Sequence, residues 1–527
     1  MPKVLVSDPI DQVGIDILSQ VATVDIKTGL PQDELIAIIP EYDAIMIRSG
    51  TRLTKEIIEA GKNLKIIGRA GVGVDNVDVP TATRQGIVVV NSPEGNTIAA
   101  AEHTLAMMMS LSRFIPAANA SLKAGKWDRK SYTGVEVYKK TLGVLGLGKI
   151  GSHVATVAKS MGMKLLAYDP FLTAERAEQL GASLVELEVL LRESDYITLH
   201  MPKTKDTYHL LNAERFAIMK DGVRIINCAR GGIIDEKALV DALNSGKVAG
   251  AAIDVFENEP LEADSLLRAV GPQLIVTPHL GASTEEAQAN VAIDVAEQIR
   301  DVLLGLPARA AVNIPGLRPD VWQKLKPYLQ LAEVLGNLVG QLAGGRVDHL
   351  DIRLQGEVAS SDSQPVVVAA LKGLLTPALR ERVNFVNANI EAKERGIRVT
   401  ETRDATVEDY TGSVHLTAHG SHGEQSITGA LLGRTEMRIT SINGFPINVA
   451  PSNYMLLTLH RDMPGIIGRI GSLLGNFNVN IASMQVGRRM VRGEAVMVLN
   501  IDDPLPADLM EQITAVAGVN DAYVVSL

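Results

Sequence analysis

Up to residue 95 the chain alternates short apolar runs with stretches whose apolar residues recur at helical spacing. Val4–Ser7, Ala44–Ile47, Lys65–Gly68 and Ile87–Val90 have the length and the aliphatic content of buried strands. Pro31–Ile39 and Thr54–Ala60, between them, carry an apolar stripe at the period of a helix. Such alternation marks βαβ units around a parallel sheet. Thr97–Leu111 follows as a long helix of small residues and Met, suited to a core position between domains. Thr141–Leu145 then opens a second series, with strands expected at Lys164–Ala167, Tyr196–Leu199, Val223–Ile226, Gly250–Asp254 and Leu274–Val276.

A long amphipathic helix, Thr284–Leu304, leads back toward the first unit. We therefore expect two doubly wound parallel-sheet domains. Residues 1–97 and 283–315 form a discontinuous flavodoxin-like domain, into which a Rossmann-type unit, 98–282, is inserted. Gly305–Pro319, dense in Pro and Gly, reads as a linker. Residues 316–451 make a mixed α/β unit without a legible chemical motif, and Pro451-Ser452 marks the last boundary. Within 452–527 the pattern is strand Met455–His460, helix Gly465–Gly475, strands Val479–Gly487 and Glu494–Ile501, helix Pro506–Ala517 and strand Asn520–Val525. That order, βαββαβ, is ferredoxin-like.

Composition narrows the function classes. A chain of 527 residues, 46% hydrophobic, can fill several cores, and with 4% aromatics those cores must be aliphatic. A net charge of −10 argues against nucleic acid or an anionic membrane as the main partner. The single cysteine, Cys228, excludes an internal disulfide and suggests a reducing, cytoplasmic location. Pro2–Asp8 reads as a first strand rather than a signal peptide, and no apolar run of ~18 residues predicts a membrane helix.

Candidate chemistry begins at Gly146-Leu147-Gly148-Lys149-Ile150-Gly151, a GxGxxG between a strand and a helix. Gly146 permits the tight turn, Gly148 lets backbone approach a pyrophosphate, and Gly151 allows close helix–strand contact. The helix N-terminus offers free N–H groups to phosphate. Asp169, at the end of the next strand and about 20 residues on, suits the ribose hydroxyls. A carboxylate there repels a 2′-phosphate, and Pro170-Phe171 supply no Arg, so NAD is favoured over NADP.

Three polar residues follow strands of the same unit: Arg230, Glu259 and His279. The loops beyond the carboxyl ends of parallel strands are where such sheets place ligands. Arg can hold a carboxylate bidentately, His can take a hydroxyl proton near neutral pH, and a carboxylate beside it stabilises the charged ring. Each alone has an ordinary structural alternative, and spacing does not prove that they converge.

Cys228–Gly232, Asp254–Pro260, Thr277–Ser283 and the glycine turn resemble the signatures of the D-isomer-specific 2-hydroxyacid dehydrogenases, a match over about residues 1–315. The resemblance implies Arg230 as the substrate-binding cation and Glu259 with His279 as acid/base. It places Asp254 near the nicotinamide carboxamide, with Lys149, Ile150, Asp169, Thr207, Cys228, Ala229, Leu280, Gly281 and Ala282 lining the cofactor.

Arg69–Asp78, with Asn96 and Ala101-Glu102, resembles the branch of the family acting on 3-phosphoglycerate. The Gly71, Val72 and Gly73 amides can hold a carboxylate, while Arg48 or Arg69 can hold a phosphate. Lys126–Lys130 either reaches a neighbouring subunit's site or is a surface crossover. The last segment, with His460–Gly468 and Asn478–Ile481, resembles an ACT domain, a module that binds amino acids or merely dimerises.

That resemblance implies L-serine contacts at Asp462 and Asn480, with His460 near the same pocket. Together the resemblances imply NAD-dependent oxidation of 3-phosphoglycerate to phosphohydroxypyruvate, serine feedback, and a homo-oligomer, dimer or tetramer. A dehydrogenase of glycerate or glyoxylate, and an NAD-sensing corepressor or scaffold, remain alternatives. His415, His419 and His422 lack carboxylate or Cys partners at ligand spacing, so no metal is expected.

Overall fold

The computed structural model describes residues 1–314, 319–360, 363–406 and 410–527, the side chains at 319, 320 and 381 excepted. The first sheet contains β1 (Lys3–Val6), β2 (Thr23–Ile26), β3 (Ala44–Ile47), β4 (Ile66–Arg69) and β5 (Val88–Asn91). Its order is β2-β1-β3-β4-β5, parallel throughout, as in flavodoxin-like folds. The helix Gln12–Ser19 and the strand β2 were not expected from the pattern. β2 is an edge strand with only two apolar residues and no fully buried position, so its hydrophobic signal is weak.

Helix Glu285–Leu303 returns to this sheet and buries Val291, Val295 and Ile299 against the Val4, Val6 and Ile66 side. Gly68 on β4 makes room for it, since a Cβ there would lie 2.6 Å from both Ile299 and Val295. The expected linker falls partly on residues 315–318, outside the described residues. Its earlier part is tied to β5: Val312 N–H donates to the Val89 carbonyl at 2.8 Å, and Val89 N–H donates to Asn313 Oδ1 at 2.9 Å. Asn384, from the following unit, donates to the Gly86 carbonyl at 2.8 Å, just before the same strand.

The second sheet comprises β6 (Thr141–Leu145), β7 (Lys164–Tyr168), β8 (Ser183–Leu184), β9 (Tyr196–Leu199), β10 (Val223–Asn227), β11 (Val248–Ile253) and β12 (Leu274–Val276). The order β12-β11-β10-β9-β6-β7-β8 is the doubly wound Rossmann arrangement, all parallel. Strand order reverses between β6 and β9, which fixes where a ligand crevice must open. Helix Thr97–Ser112 buries Ala101, Met107, Met108 and Leu111 in the core of this sheet.

The third sheet is mixed. It is built from β13 (Val347–Gly356), β14 (Arg398–Asp404), β15 (Gly412–Gly420), β16 (Gly423–Leu432), β17 (Glu436–Ile442) and β18 (Phe445–Val449), in the order β14-β13-β15-β16-β17-β18. Its alternating burial presents one polar face outward, while the apolar face packs under helices Pro319–Ala343 and Gln364–Leu379.

The last sheet holds β19 (Tyr454–Arg461), β20 (Ile481–Arg488), β21 (Glu494–Ile501) and β22 (Val519–Ser526), antiparallel in the order β20-β21-β19-β22. Two helices, Ile466–Asn476 and Ala507–Thr514, cover one face. Met455, Leu457, Val496, Val498 and Val525 on the other face join the core of the preceding unit. No helix among the described residues is long and apolar enough to cross a membrane.

Candidate active site

β6 runs into the glycine turn, and helix Lys149–Ser160 starts there. Gly146 has φ +91°, and a Cβ on it would lie 2.6 Å from the His200 carbonyl oxygen. A Cβ on Gly151 would lie 2.1 Å from the Gly146 oxygen, so this helix can approach the strand only without a side chain. A Cβ on Gly148 would meet nothing, which leaves open space before the helix N-terminus. Beyond β7, Asp169 accepts from Leu147 N–H and Phe171 N–H, each at 2.9 Å. That fixes its carboxylate while leaving lone pairs for hydroxyl donors. The open cradle and the fixed acid fit an NAD dinucleotide.

Other expected cofactor residues lie on this turn and in the loops beyond β9 and β10. Lys149 pairs with Glu94, and Ile150 is half-buried beside the core. Thr207 Oγ1 donates to the Pro202 carbonyl at 2.7 Å and shapes the loop beyond β9. Ala229 N–H donates to Asn227 Oδ1 at 3.0 Å. Burial and the charge of Asp254 push the Cys228 thiol up to about 12, so it stays protonated.

Asp254 lies at the end of β11, fully buried. It accepts from Thr277 Oγ1 at 2.6 Å, and from Leu280 N–H and Gly281 N–H at 2.8 Å each. His103 Nε2 stands 3.3 Å away. Burial opposes its charge, but the hydrogen bonds from His103, Thr277 and Leu280 outweigh it and hold the carboxyl below its ordinary range. An ionised Asp254 therefore clamps the loop 277–282 from both sides, and so sets the position of His279.

His279 sits on that loop in the left-handed region, φ +55°. Its Nδ1 lies 2.7 Å from Glu259 Oε2, and Glu259 Oε1 accepts from Phe256 N–H at 3.0 Å. Burial raises the Glu259 carboxyl, yet the hydrogen bonds from His279 and Phe256 prevail and hold it low. The ring is bound at Nδ1, which leaves Nε2 for another proton partner.

Both units face a cleft of about 1200 Å³ that contains Glu259, His279 and Ala282. Arg230 reaches across it, its Nε donating to Asp75 Oδ2 at 3.1 Å and Nη1 to the Ala229 carbonyl at 2.7 Å. Arg48, Arg69, Gly71, Val72, Gly73 and Asn96 form the opposite wall. Burial, and then the charge of Arg230, push the Arg69 guanidinium down to about 10. Its Nε, with Ser92 Oγ and Asn96 Oδ1, is buried without a protein partner. Buried polar atoms left unpaired are costly, and Arg69 and Asn96 turn theirs toward a cleft that can supply a ligand.

Arg52, Lys203 and Arg268 also line the cleft, and His103 stands beside Asp254, without any mark in the sequence. Each stands in a loop or helix without a motif, and its convergence is a tertiary fact. The excess of cations (Arg48, Arg52, Arg69, Lys203, Arg230 and Arg268 against Asp75, Glu257 and Glu259) makes the cleft an anion site.

In the last sheet His460 and Asp462 interact at one end, and Asn480 does not join them. His460 is buried, 2% exposed, on β19. Asp462 follows that strand and accepts from Arg488 Nη1 at 2.8 Å and Arg492 N–H at 3.1 Å. Asn480 precedes β20 and donates to Asp502 at 2.7 Å. The register pairs Tyr454 and Ile481 with Ile501, and Arg461 with Glu494. Asp462 and Asn480 thus stand at opposite ends of the sheet, roughly 25 Å apart by strand rise.

Residues 105–281 match the model of the D-isomer specific 2-hydroxyacid dehydrogenase NAD binding domain. Residues 324–443 match the D-3-phosphoglycerate dehydrogenase intervening domain, and 454–518 the ACT domain. The chain is 70% identical to D-3-phosphoglycerate dehydrogenase of Synechocystis sp., an alignment covering all of this chain and 95% of that protein. The chain belongs to the D-3-phosphoglycerate dehydrogenase family. It is an NAD oxidoreductase. The enzyme of the same description from Methanocaldococcus jannaschii is 45% identical over the full length of both chains. Among solved structures, D-lactate dehydrogenase of Escherichia coli aligns over 59% of this chain and 99% of its own, at 32% identity and TM-score 0.53. A glyoxylate reductase from Paecilomyes thermophila does so over 59% and 98%, at 31% and 0.55. The family thus agrees with the α/β fold expected from the sequence.

Proposed function

We propose that the chain oxidises D-3-phosphoglycerate at C2 to 3-phosphohydroxypyruvate with NAD, the entry step of serine synthesis, and that L-serine inhibits it through the ACT unit. The observation that carries the catalytic half is the 2.7 Å pair of His279 and Glu259, in a cleft that also holds the unpartnered Arg69. Arg230 exchanges Asp75 for the substrate carboxylate, an ionic bond of similar geometry. Arg69, with Arg48, takes the phosphate, and the Gly71–Gly73 backbone and Asn96 orient the acid. The Gly146–Gly151 turn and Asp169 would hold NAD, which when bound would supply the acceptor for the C2 hydride. His279 Nε2 accepts the hydroxyl proton as the C=O bond forms, and ionised Glu259 stabilises the resulting imidazolium.

The work divides among the units. Residues 1–97 with 283–315 bind substrate, 98–282 bind NAD, 316–451 intervene and 452–527 sense the effector. One serine cannot touch Asp462 and Asn480 of the same copy, so the effector site needs two copies side by side. A homo-oligomer follows, in a soluble, cytoplasmic setting.

The test is NADH absorbance with phosphohydroxypyruvate, and separately with glyoxylate, each with and without L-serine. Oxidation of NADH with the phosphorylated acid, suppressed by serine, is expected. Faster turnover of glyoxylate would overturn the substrate assignment, and indifference to serine the regulatory one.

A further inference from the structure

Three side chains on the outer face of the third sheet converge in a way the sequence hides. His349 and Asp351 share one face of β13, and His419 stands directly opposite His349 on the antiparallel neighbour β15. His349 Nε2 lies 3.1 Å from Asp351 Oδ1, and His419 Nε2 lies 2.8 Å from Asp351 Oδ2. One donor atom from each residue falls within 4.8 Å of the other two. The carboxylate partner judged absent from local spacing is supplied by the adjacent strand. Of the other two histidines flagged with His419, His415 bonds Gln355 and Thr428, and His422 bonds Ser421.

We infer that His349, Asp351 and His419 form a binding site for a divalent cation of the zinc class. Two imidazoles and one carboxylate are the donor set of Zn²⁺ and its borderline neighbours, whereas Mg²⁺ and Ca²⁺ call for oxygen alone. With bonds of ~2.0–2.1 Å, donor atoms around a tetrahedral ion stand roughly 3.3 Å apart, close to the 3.1 and 2.8 Å between Asp351 and the two imidazoles. A second feature supports it. His419 Nδ1, facing away from the cluster, has Glu424 Oε2 at 3.7 Å, the kind of carboxylate that orients a ligating imidazole. The two strands are central to the sheet, so little reordering precedes binding. Partial exposure of all three residues leaves the fourth position to water, or to the Thr400 hydroxyl 2.7 Å from His349 Nε2. The bound cation would cross-link β13 and β15.

The test uses full-length protein freed of metal by a chelator and titrated with CoCl2, then with ZnCl2. We expect a saturable visible d–d band at one equivalent per chain, displaced by Zn²⁺, and a rise in melting temperature with Zn²⁺. The double variant His349→Gln/His419→Gln should lose both, with NADH turnover in the absence of added metal unchanged. Glu424→Gln should weaken binding about 10- to 100-fold. If the double variant fails to fold, Asp351→Asn carries the same expectation. Absence of saturable binding would overturn the site, as would binding retained in these variants. So would a thiolate-to-cobalt charge-transfer band, which would place the ion on the cluster of His103, Cys228 and Asp254 instead.

Discussion

In the cleft, Arg69 keeps a buried Nε without a partner and His279 is bound on one ring nitrogen only, whereas in the C-terminal unit Asp462 is met by Arg488 and Asn480 by Asp502. In the first arrangement only the Arg230–Asp75 bond has to be exchanged for a substrate. In the second, internal bonds must be exchanged, and its two ends are too far apart for one small molecule. A preformed site has little ordering to do on binding, while a self-satisfied one binds only where a new neighbour compensates for the bonds broken.

The contrast can be broken most forcefully at His279. His279→Asn should lower kcat by about 10²- to 10⁴-fold while leaving NAD binding, read by protein fluorescence, largely intact. A loss confined to KM would remove the proton-transfer role. Arg69→Ala should act instead on substrate affinity, raising KM for phosphohydroxypyruvate about 10- to 100-fold with a smaller effect on kcat.

The glycine turn separates packing from binding. Gly151→Ala must push against the Gly146 carbonyl and should cost about 1–3 kcal/mol in denaturant unfolding. Gly148→Ala meets no atom of the protein, so it should weaken NAD without moving the melting temperature.

His200, half-buried behind that turn, is held by burial at about 4 against an ordinary 6.5. Between those values the unfolded chain binds the proton and the folded one does not. Stability should therefore fall as pH drops from about 6.5 to about 4, by at most about 3 kcal/mol. His200→Asn should flatten this part of a melting-temperature profile. The smallest effect on stability is expected at Asp462. Asp462→Asn removes an exposed ion pair and should barely change the melting temperature, yet it should weaken inhibition by serine.

What could be read along the chain was whatever repeats locally. Apolar runs located most strands of both parallel sheets, and the GxGxxG with Asp169 located the cofactor turn. The last unit's element order was legible from alternation alone. Edge strand β2, with no fully buried position, left no such pattern. The cleft cations Arg52, Lys203 and Arg268 and the carboxylate facing His419 come from separate segments, and chain distance carries no record of their meeting. Likewise, the role of Asp254 as a clamp on the loop of His279 is visible only once β11 and β12 lie side by side.

The attachment of residues 312 and 313 to β5, with Asn384 seated just ahead of that strand, decides where mechanical influence enters the catalytic half. A displacement of the units beyond residue 319 would pull first on the wall that carries Arg69 and Asn96, and only through it on the glycine turn. Effector control routed this way should register as a change in grip on the phosphorylated acid before any change in hold on the dinucleotide.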